Sequence, residues 1–198
     1  MSGETAEIEA YIARFATPPA DQLADFVAAA RPRTLGPGEP FCQPGQERHE
    51  LAFIHEGVVR YYVILPDGDE ATKDFSFAPS FTVSFGSAVA GRPAAVAIAA
   101  VTACRLNVWP YAAMRALHER HAQWQKLGRL LAEILYVRKE RREVSFLLES
   151  AETRYRKALR AFPAEIALIP QYYLASYLGI RPQSLSRLRK RVGMNLGE

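Results

Sequence analysis

Cysteine is scarce in this chain: Cys42 and Cys104 are the only two among 198 residues. Their separation fits no metal-ligand spacing. Two thiolates are also too few to hold an iron–sulfur cluster within one chain. We therefore interpret both residues as buried free thiols, which behave as small apolar side chains.

Histidine is nearly as scarce, and the chain lacks the usual catalytic patterns. His118 and His121 could share a helix face, but His49 and His55 lie in a different part of the chain and no carboxylate or thiolate completes a ligand set. Nor do His49 and His55 reproduce the His-rich strand pair of cupin metalloenzymes. No Ser/His/Asp arrangement and no Gly-rich phosphate loop is present. The sequence predicts no metal site and no enzyme activity.

Long apolar runs are absent as well. No stretch approaches the twenty residues that cross a bilayer, and no signal peptide begins the chain, which predicts a soluble cytoplasmic protein without membrane contact. The apolar content of 49% nevertheless suffices for real cores. At 198 residues there is room for one large domain or two small ones.

Positive charge is concentrated at the end of the chain. The formal net charge is +4, but residues 151–198 hold nine Lys/Arg against three Asp/Glu, whereas the remainder holds 16 against 18. A local excess of this kind is typical of a module that binds a polyanion.

That basic segment contains a helix-turn-helix pattern over residues 170–190. Pro170 and Pro182 can each open a helix, because a first-turn residue needs no N–H. Gly179 stands where the chain must turn, and glycine takes a left-handed conformation at little cost. The pattern also predicts that a set of small and apolar residues packs between the helices: Leu174, Ala175, Leu178, Ile180, Leu185 and Leu188.

The second helix of this pattern predicts a surface that reads DNA. Gln183, Ser186, Arg187 and Lys190 should point away from the body of the domain; Gln suits adenine and Arg suits guanine in the major groove. Arg189, Lys190 and Arg191 could grip phosphates. The predicted DNA-binding set is Arg181, Gln183, Ser184, Ser186, Arg187, Arg189, Lys190 and Arg191. The alternative is an ordinary helical hairpin with a solvated basic face.

The preceding chain divides into helices, strands and helices. Residues 1–30 suggest two short helices broken at Pro18-Pro19. From Arg33 to Trp109, short runs rich in β-branched and aromatic residues alternate with turn signals such as Asp67-Gly68, which predicts a β-sandwich, roll or barrel. The predicted strands are Leu51–Ile54, Val58–Leu65, Thr72–Phe77, Phe81–Phe85, Ala94–Val101 and Arg105–Trp109.

Pro110 opens a long helical stretch with an apolar stripe. One such helix cannot bury its stripe fully against a small roll, so pairing with a second copy in coiled-coil fashion is favoured. The predicted dimer interface is Trp124, Leu127, Leu131, Ile134 and Leu135. The alternative is that the stripe packs inside the monomer. Residues 151–162 read as a further helix that supports the helix-turn-helix.

This order of roll, long helix and helix-turn-helix resembles the Crp/Fnr family of bacterial transcription regulators. The motifs that carry the resemblance are Leu35-Gly-Pro-Gly-Glu39, Phe41-Cys-Gln-Pro-Gly45, Phe53-Ile-His-Glu-Gly57-Val-Val-Arg-Tyr61, Asp67-Gly68, Ala103-Cys104 and the segment 171–190. The resemblance implies an α+β fold with an N-terminal cyclic-nucleotide-binding-type β-roll, a long dimerisation helix and a C-terminal helix-turn-helix of winged-helix type. Because the chain ends soon after the second helix, we expect the wing to be reduced or absent.

The roll departs from the family's nucleotide-binding members. Those members hold the cyclic phosphate with backbone N–H groups and an Arg, whereas this chain aligns Ser84-Phe85 and Ala94-Ala95 with the two phosphate-binding pairs, and Arg92 has the wrong spacing. A buried phosphate without a cation is costly, so cyclic AMP and cyclic GMP are predicted not to bind, and no cofactor is expected. The region is predicted to be apolar, and either it holds a small apolar effector or its own side chains fill it. Its residues are Phe81, Val83, Ser84, Phe85, Arg92, Ala94, Ala95 and Val96.

The reading helix departs at one position. The family commonly has Glu where this chain has Gln183, whereas Arg187 is retained. Since Gln suits adenine rather than cytosine, the operator is expected to differ.

We divide the chain into a roll with N-terminal helices (1–112), a dimerisation helix (113–149) and a DNA-binding domain (150–198). The favoured hypothesis is a homodimeric regulator of double-stranded DNA, with RNA polymerase as a further candidate partner. The other is an effector-binding or interaction module with a vestigial helix-turn-helix.

Overall fold

A computed structural model describes residues 2–194 of the chain, and it shows the expected α+β architecture. The two predicted N-terminal helices are present as α1 (Ser2–Ala13) and α2 (Ala20–Ala28), on either side of Pro18-Pro19. Both pack on the roll, where the Nε1 of Trp109 donates to the carbonyl of Phe26 at 2.7 Å.

The roll consists of two antiparallel four-stranded sheets. Along the chain its strands are β1 (Arg31–Leu35), β2 (Pro40–Cys42), β3 (Glu50–Glu56), β4 (Val58–Ile64), β5 (Glu70–Phe77), β6 (Ser80–Thr82), β7 (Ala97–Ala100) and β8 (Cys104–Pro110). The sheet orders are β1-β8-β3-β6 and β2-β7-β4-β5. The inner faces of the two sheets enclose an apolar core that includes both cysteines, which are free and buried as predicted.

One predicted strand is wrong in its second half. The strand expected over Phe81–Phe85 ends at Thr82, and Phe85 instead begins a short helix, α3 (Phe85–Ala90). Gly91 ends that helix in the left-handed conformation, with φ of 61°. The apolar and polar residues of 81–85 alternate as in a strand, but the segment leaves the sheet where the hydroxyl of Ser84 donates to the carbonyl of Val96 at 3.1 Å.

The helical stretch after Pro110 is two helices rather than one. These are α4 (Tyr111–Arg120) and α5 (Ala122–Leu148), separated at His121, whose backbone is extended. The Nδ1 of His121 accepts from the backbone N–H of Gln123 at 3.1 Å and so caps α5. α4 folds back on α5, and the ring of His118 lies so close to Gly128 that a Cβ there would come within 2.6 Å of its Nε2.

The C-terminal part contains α6 (Ala151–Ala161), a 3₁₀ turn (Glu165–Leu168), α7 (Gln171–Leu178) and α8 (Pro182–Met194). Ser150 caps α6 by accepting from the backbone N–H of Thr153 at 3.1 Å. These helices share one apolar core, which also takes in Val58, Phe75 and Val101 of the roll. The C-terminal helices are therefore packed directly on the roll.

Within the described part of the chain, no helix has the length and apolar character needed to cross a membrane.

Candidate nucleic-acid interface and subunit surface

The turn between α7 and α8 is built as the sequence predicts. Gly179 has φ of 69°, and its N–H bonds the carbonyl of Ser176 at 3.0 Å. The N–H of Ile180 bonds the carbonyl of Ala175, also at 3.0 Å, which closes the helix end with a left-handed residue. Pro182 then begins α8. We call α7, this turn and α8 the two-helix unit.

The buried and exposed faces of α8 are separated by helical spacing. Leu185, Leu188 and Val192 are buried, three and four residues apart. On the other side of the helix, Gln183, Arg187 and Lys190 are exposed, and Arg181 and Ser184 are exposed at its beginning. α8 therefore presents an amide and two cations on an open face.

Two further residues of the predicted DNA-binding set, Ser186 and Arg191, have partners within the protein, and a third, Arg189, is half-buried. Ser186 is half-buried: its hydroxyl bonds the side-chain amide of Gln171 and the carbonyl of Pro182. The expectation that Ser186 points away from the body is thus wrong. Arg191 lies 3.6 Å from the carboxylate of Glu152, and Arg189 is half-buried.

Gln171 is a residue that sequence reasoning missed. Its side-chain amide donates to Ser186 and, at 3.1 Å, to the carbonyl of Pro182, and so joins the first turns of α7 and α8. No local pattern marks this role, because the two partners become neighbours only after the turn has formed.

Two arginines outside the two-helix unit hold the end of α7, and they were also missed. Arg142 of α5 donates to the carbonyl of Tyr177 at 2.7 Å, and Arg154 of α6 donates twice to the carbonyl of Leu178, at 3.0 and 3.1 Å. Both guanidinium groups pack on the ring of Phe146. Burial lowers the pKa of Arg142, which the nearby Tyr177 and Asp74 partly offset. Last-turn carbonyls of a helix lack partners within the helix, so these contacts fix its position.

The roll contacts α7 directly. The N–H of Thr72 in β5 donates to the hydroxyl of Ser176 at 2.8 Å. Arg60 of β4 is buried between Tyr62 and Tyr173, with its guanidinium carbon 4.1 and 3.7 Å from the two ring centroids, and it pairs with Glu70. Burial, followed by a hydrogen bond to Tyr172 that stabilises the protonated hydroxyl, raises the pKa of Tyr173 to about 12. The roll and the two-helix unit thus share a buried cation that is stacked between two rings.

The surface of α5 differs from the one predicted. Trp124 and Leu127 are fully buried in the core between α1, α2, α4 and the roll, and Leu131 packs partly against it. Assigning Trp124 and Leu127 to a subunit interface is therefore wrong, since they have no surface left for a partner. The apolar stripe seen in the sequence combines residues from two different surfaces of α5. The beginning of the helix lies against the roll, whereas its later turns do not.

The later turns of α5 carry an exposed apolar line. Ile134, Val137, Val144 and Leu148 are 50%, 40%, 45% and 80% exposed. A groove of about 510 Å³ lies along the first part of this line. The complete line, which we call the α5 seam, alternates steps of four and three residues: Leu130, Ile134, Val137, Arg141, Val144 and Leu148. Of the predicted interface residues, Ile134 belongs to the seam, and the exposed Leu135 lies beside it.

The region aligned with a phosphate-binding cassette is closed by internal hydrogen bonds. The N–H of Ala94 donates to the carbonyl of Gln46 at 2.9 Å, and the N–H of Ala95 donates to the hydroxyl of Ser87 at 3.1 Å. Arg92 is exposed, and its carbonyl bonds the ring of His49.

The apolar side chains predicted for this region are largely used in packing. Ala94 is buried in the core between the sheets, while Phe81 and Val83 pack against the core beneath the N-terminal helices. Phe85 and Val96 are half-buried. Among the described residues, no three His, Cys, Asp or Glu side chains are grouped as metal ligands.

Comparisons with known proteins agree with this architecture. Residues 32–121 match the family model described as the cyclic nucleotide-binding domain. FixK2 from Bradyrhizobium japonicum is similar with a TM-score of 0.71 and 16% identity, over 84% of this chain and 85% of that one. A structure described as a Crp/Fnr-family transcriptional regulator from Eubacterium rectale has a TM-score of 0.71 and 14% identity, over 89% and 84%.

CLP from Xanthomonas campestris, described as a c-di-GMP-responsive global regulator, has a TM-score of 0.69 and 16% identity, over 89% of this chain and 93% of that one. At such identities the likeness establishes the fold. No curated protein sequence matches the chain significantly.

Proposed function

We propose that this protein is a homodimeric transcription regulator that binds specific sequences of double-stranded DNA. Residues 32–121 match the cyclic nucleotide-binding domain family, and the chain has the fold of Crp/Fnr regulators. The open face of α8 carries the proposal: Gln183, Arg187 and Lys190 are exposed opposite the buried Leu185 and Leu188. A helix of this kind fits the major groove, where Gln reads adenine and Arg reads guanine.

The α5 seam supports the homodimer. An exposed apolar line with alternating steps of four and three is the pattern of a two-stranded coiled coil. Two-fold symmetry would then place two copies of α8 on two half-sites of the DNA. RNA polymerase is the further partner that activation by such a dimer would require.

The roll acts in this proposal as a sensor that does not use cyclic AMP or cyclic GMP. The N–H groups of Ala94 and Ala95 already have acceptors inside the protein. The sequence also has no arginine at the position from which the family's nucleotide-binding members neutralise the phosphate. An apolar effector remains the alternative input, and it can act only by binding two poses of the two-helix unit unequally.

The test is binding of the purified protein to a fragment of its own upstream promoter, titrated over salt, with and without cyclic AMP. We expect selective binding that ignores cyclic AMP. Replacing Arg187 by alanine should cost about 1–3 kcal/mol and relax the preference at one base pair, whereas Lys190→Ala should weaken all sequences and reduce the salt slope by about 1. Arg120→Ala, an exposed cation of α4, is the control that should change neither.

Three results would contradict parts of this proposal. Binding that tightens with cyclic AMP would overturn the assignment of the roll. An Arg187→Ala variant that binds like the unmodified protein would remove α8 as the reading helix. Weak binding that is equal for all sequences would instead favour an interaction module with a vestigial helix-turn-helix.

A further inference from the structure

One charged side chain interrupts the α5 seam. Arg141 stands between Val137 and Val144 at the regular four-and-three spacing, so a second helix packed on the seam would cover it. An arginine buried at such a position costs free energy unless a counter-charge lies beside it. The seam therefore needs an acidic group close to Arg141.

The protomer does not itself supply that group. Among the described residues, Arg141 makes no ion pair, and neither does the adjacent Glu140, which is also exposed. Their neighbours on α5 are already paired: Arg138 with Asp74 at 2.7 Å, and Lys139 with Glu143 at 3.4 Å.

A second copy would supply it. In a parallel, in-register pair of helices, a side chain at the first heptad position enters a hole of four residues on the facing helix. That hole includes the equivalent residue and the residue just before it. The hole that receives Arg141 of one copy is therefore lined by two charged residues of the facing copy. One is the equivalent Arg141, which carries the same charge, and the other is Glu140, which carries the opposite charge.

We propose that Arg141 pairs reciprocally with Glu140 of the second copy across the α5 seam, and that these two pairs fix the register and the parallel orientation of the dimer. A sliding or antiparallel arrangement would cover Arg141 with the apolar seam residues, or bring it to a different partner. A polar residue within a seam specifies register in this way at some cost in stability. The inference rests on the proposed homodimer but not on DNA binding.

Charge reversal of the full chain tests the proposal, with the dimer dissociation constant measured by sedimentation and subunit pairing by native mass spectrometry. Arg141→Glu places acid against acid in the homodimer, and Glu140→Arg places base against base. Since each variant brings like charges together across the seam, each should dimerise at least about tenfold more weakly. A mixture of the two variants should recover a heterodimer, because each then meets its opposite charge.

Two more variants serve as controls. Lys139→Glu makes the same reversal two residues before Arg141, off the seam, and should leave the dimer constant within about twofold, as for an exposed surface pair. Arg141→Leu completes the apolar line and should tighten the dimer. Circular dichroism establishes that each variant is folded.

The outcomes separate the inference from the function on which it rests. An unmodified protein that stays monomeric would overturn the homodimer and the inference together. A dimer that Arg141→Glu and Glu140→Arg leave unchanged would overturn the inference alone. Weakened homodimers whose mixture forms no heterodimer would also overturn it, because the two residues would not then face each other.

Discussion

At Gly57 the backbone has a φ of 100°, and a side chain there would collide with fixed atoms. A Cβ would lie 2.4 Å from the carbonyl oxygen of Ala103 and 2.6 Å from the Sγ of Cys104. This glycine lets β3 turn into β4 against the start of β8. It lies in one of the motifs that carry the family resemblance, and these close contacts explain why that position of the motif is a glycine.

We expect Gly57→Ala to destabilise the protein by about 3 kcal/mol or more, because backbone strain and overpacking add. Gly38→Ala is the matched control: φ there is 83°, but a Cβ would meet nothing within 4 Å. That variant should lose about 1 kcal/mol, for the conformation alone. Urea denaturation measures both, and equal losses would show that the contact with Ala103 and Cys104 does not matter.

Helix α7 is attached to four other elements of the protein. α5 and α6 hold the carbonyl groups of its last turn, β5 bonds Ser176, and β4 supplies Arg60 against Tyr173. Because every one of these contacts comes from outside the two-helix unit, the position of α8 depends on the roll and on α5.

A double-mutant cycle between Arg60→Met and Tyr173→Leu measures the coupling across this contact. We expect about 1–2 kcal/mol, because a desolvated cation stacks on the ring. The comparison pair is Arg14 and Tyr11: the guanidinium carbon of the exposed Arg14 lies 5.2 Å from the ring centroid of Tyr11. The coupling of this solvated cation should stay below about 0.5 kcal/mol. A coupling near zero for Arg60 and Tyr173 would mean that the roll and α7 are not joined through this pair.

For the whole molecule, tryptophan fluorescence can distinguish unfolding of the protomer from dissociation of the proposed dimer. Trp109 and Trp124 are the only tryptophans of the chain, and both are fully buried within the protomer. Dissociation of a dimer through the α5 seam would therefore leave their surroundings unchanged.

Dilution through the dimer dissociation constant should lower the sedimentation coefficient without moving the tryptophan emission maximum. Leu148→Asp places a charge on an 80% exposed seam residue and should favour the monomer, with the same emission. A red shift on dilution would mean that Trp124 lies at the interface after all, as the sequence stripe suggested.

Local sequence determined the parts of this protein that depend on short-range rules. The spacing of Leu185 and Leu188, the position of Gly179 and the signal at Asp67-Gly68 predicted α7, α8 and the β4–β5 hairpin, because helix periodicity and a left-handed turn are properties of a few adjacent residues. The same rules indicated which side of α8 carries Gln183 and Arg187.

Only the tertiary structure determined which side chains and backbone N–H groups remain accessible to a partner or ligand. The stripe from Trp124 to Leu135 is continuous in sequence, but contact with α2 and the roll buries Trp124 and Leu127 and leaves the α5 seam exposed. In the same way, Ser186 is occupied by Gln171, and the N–H groups of Ala94 and Ala95 are occupied by Gln46 and Ser87. Burial and hydrogen-bond satisfaction depend on residues distant in sequence, so no local pattern can report them.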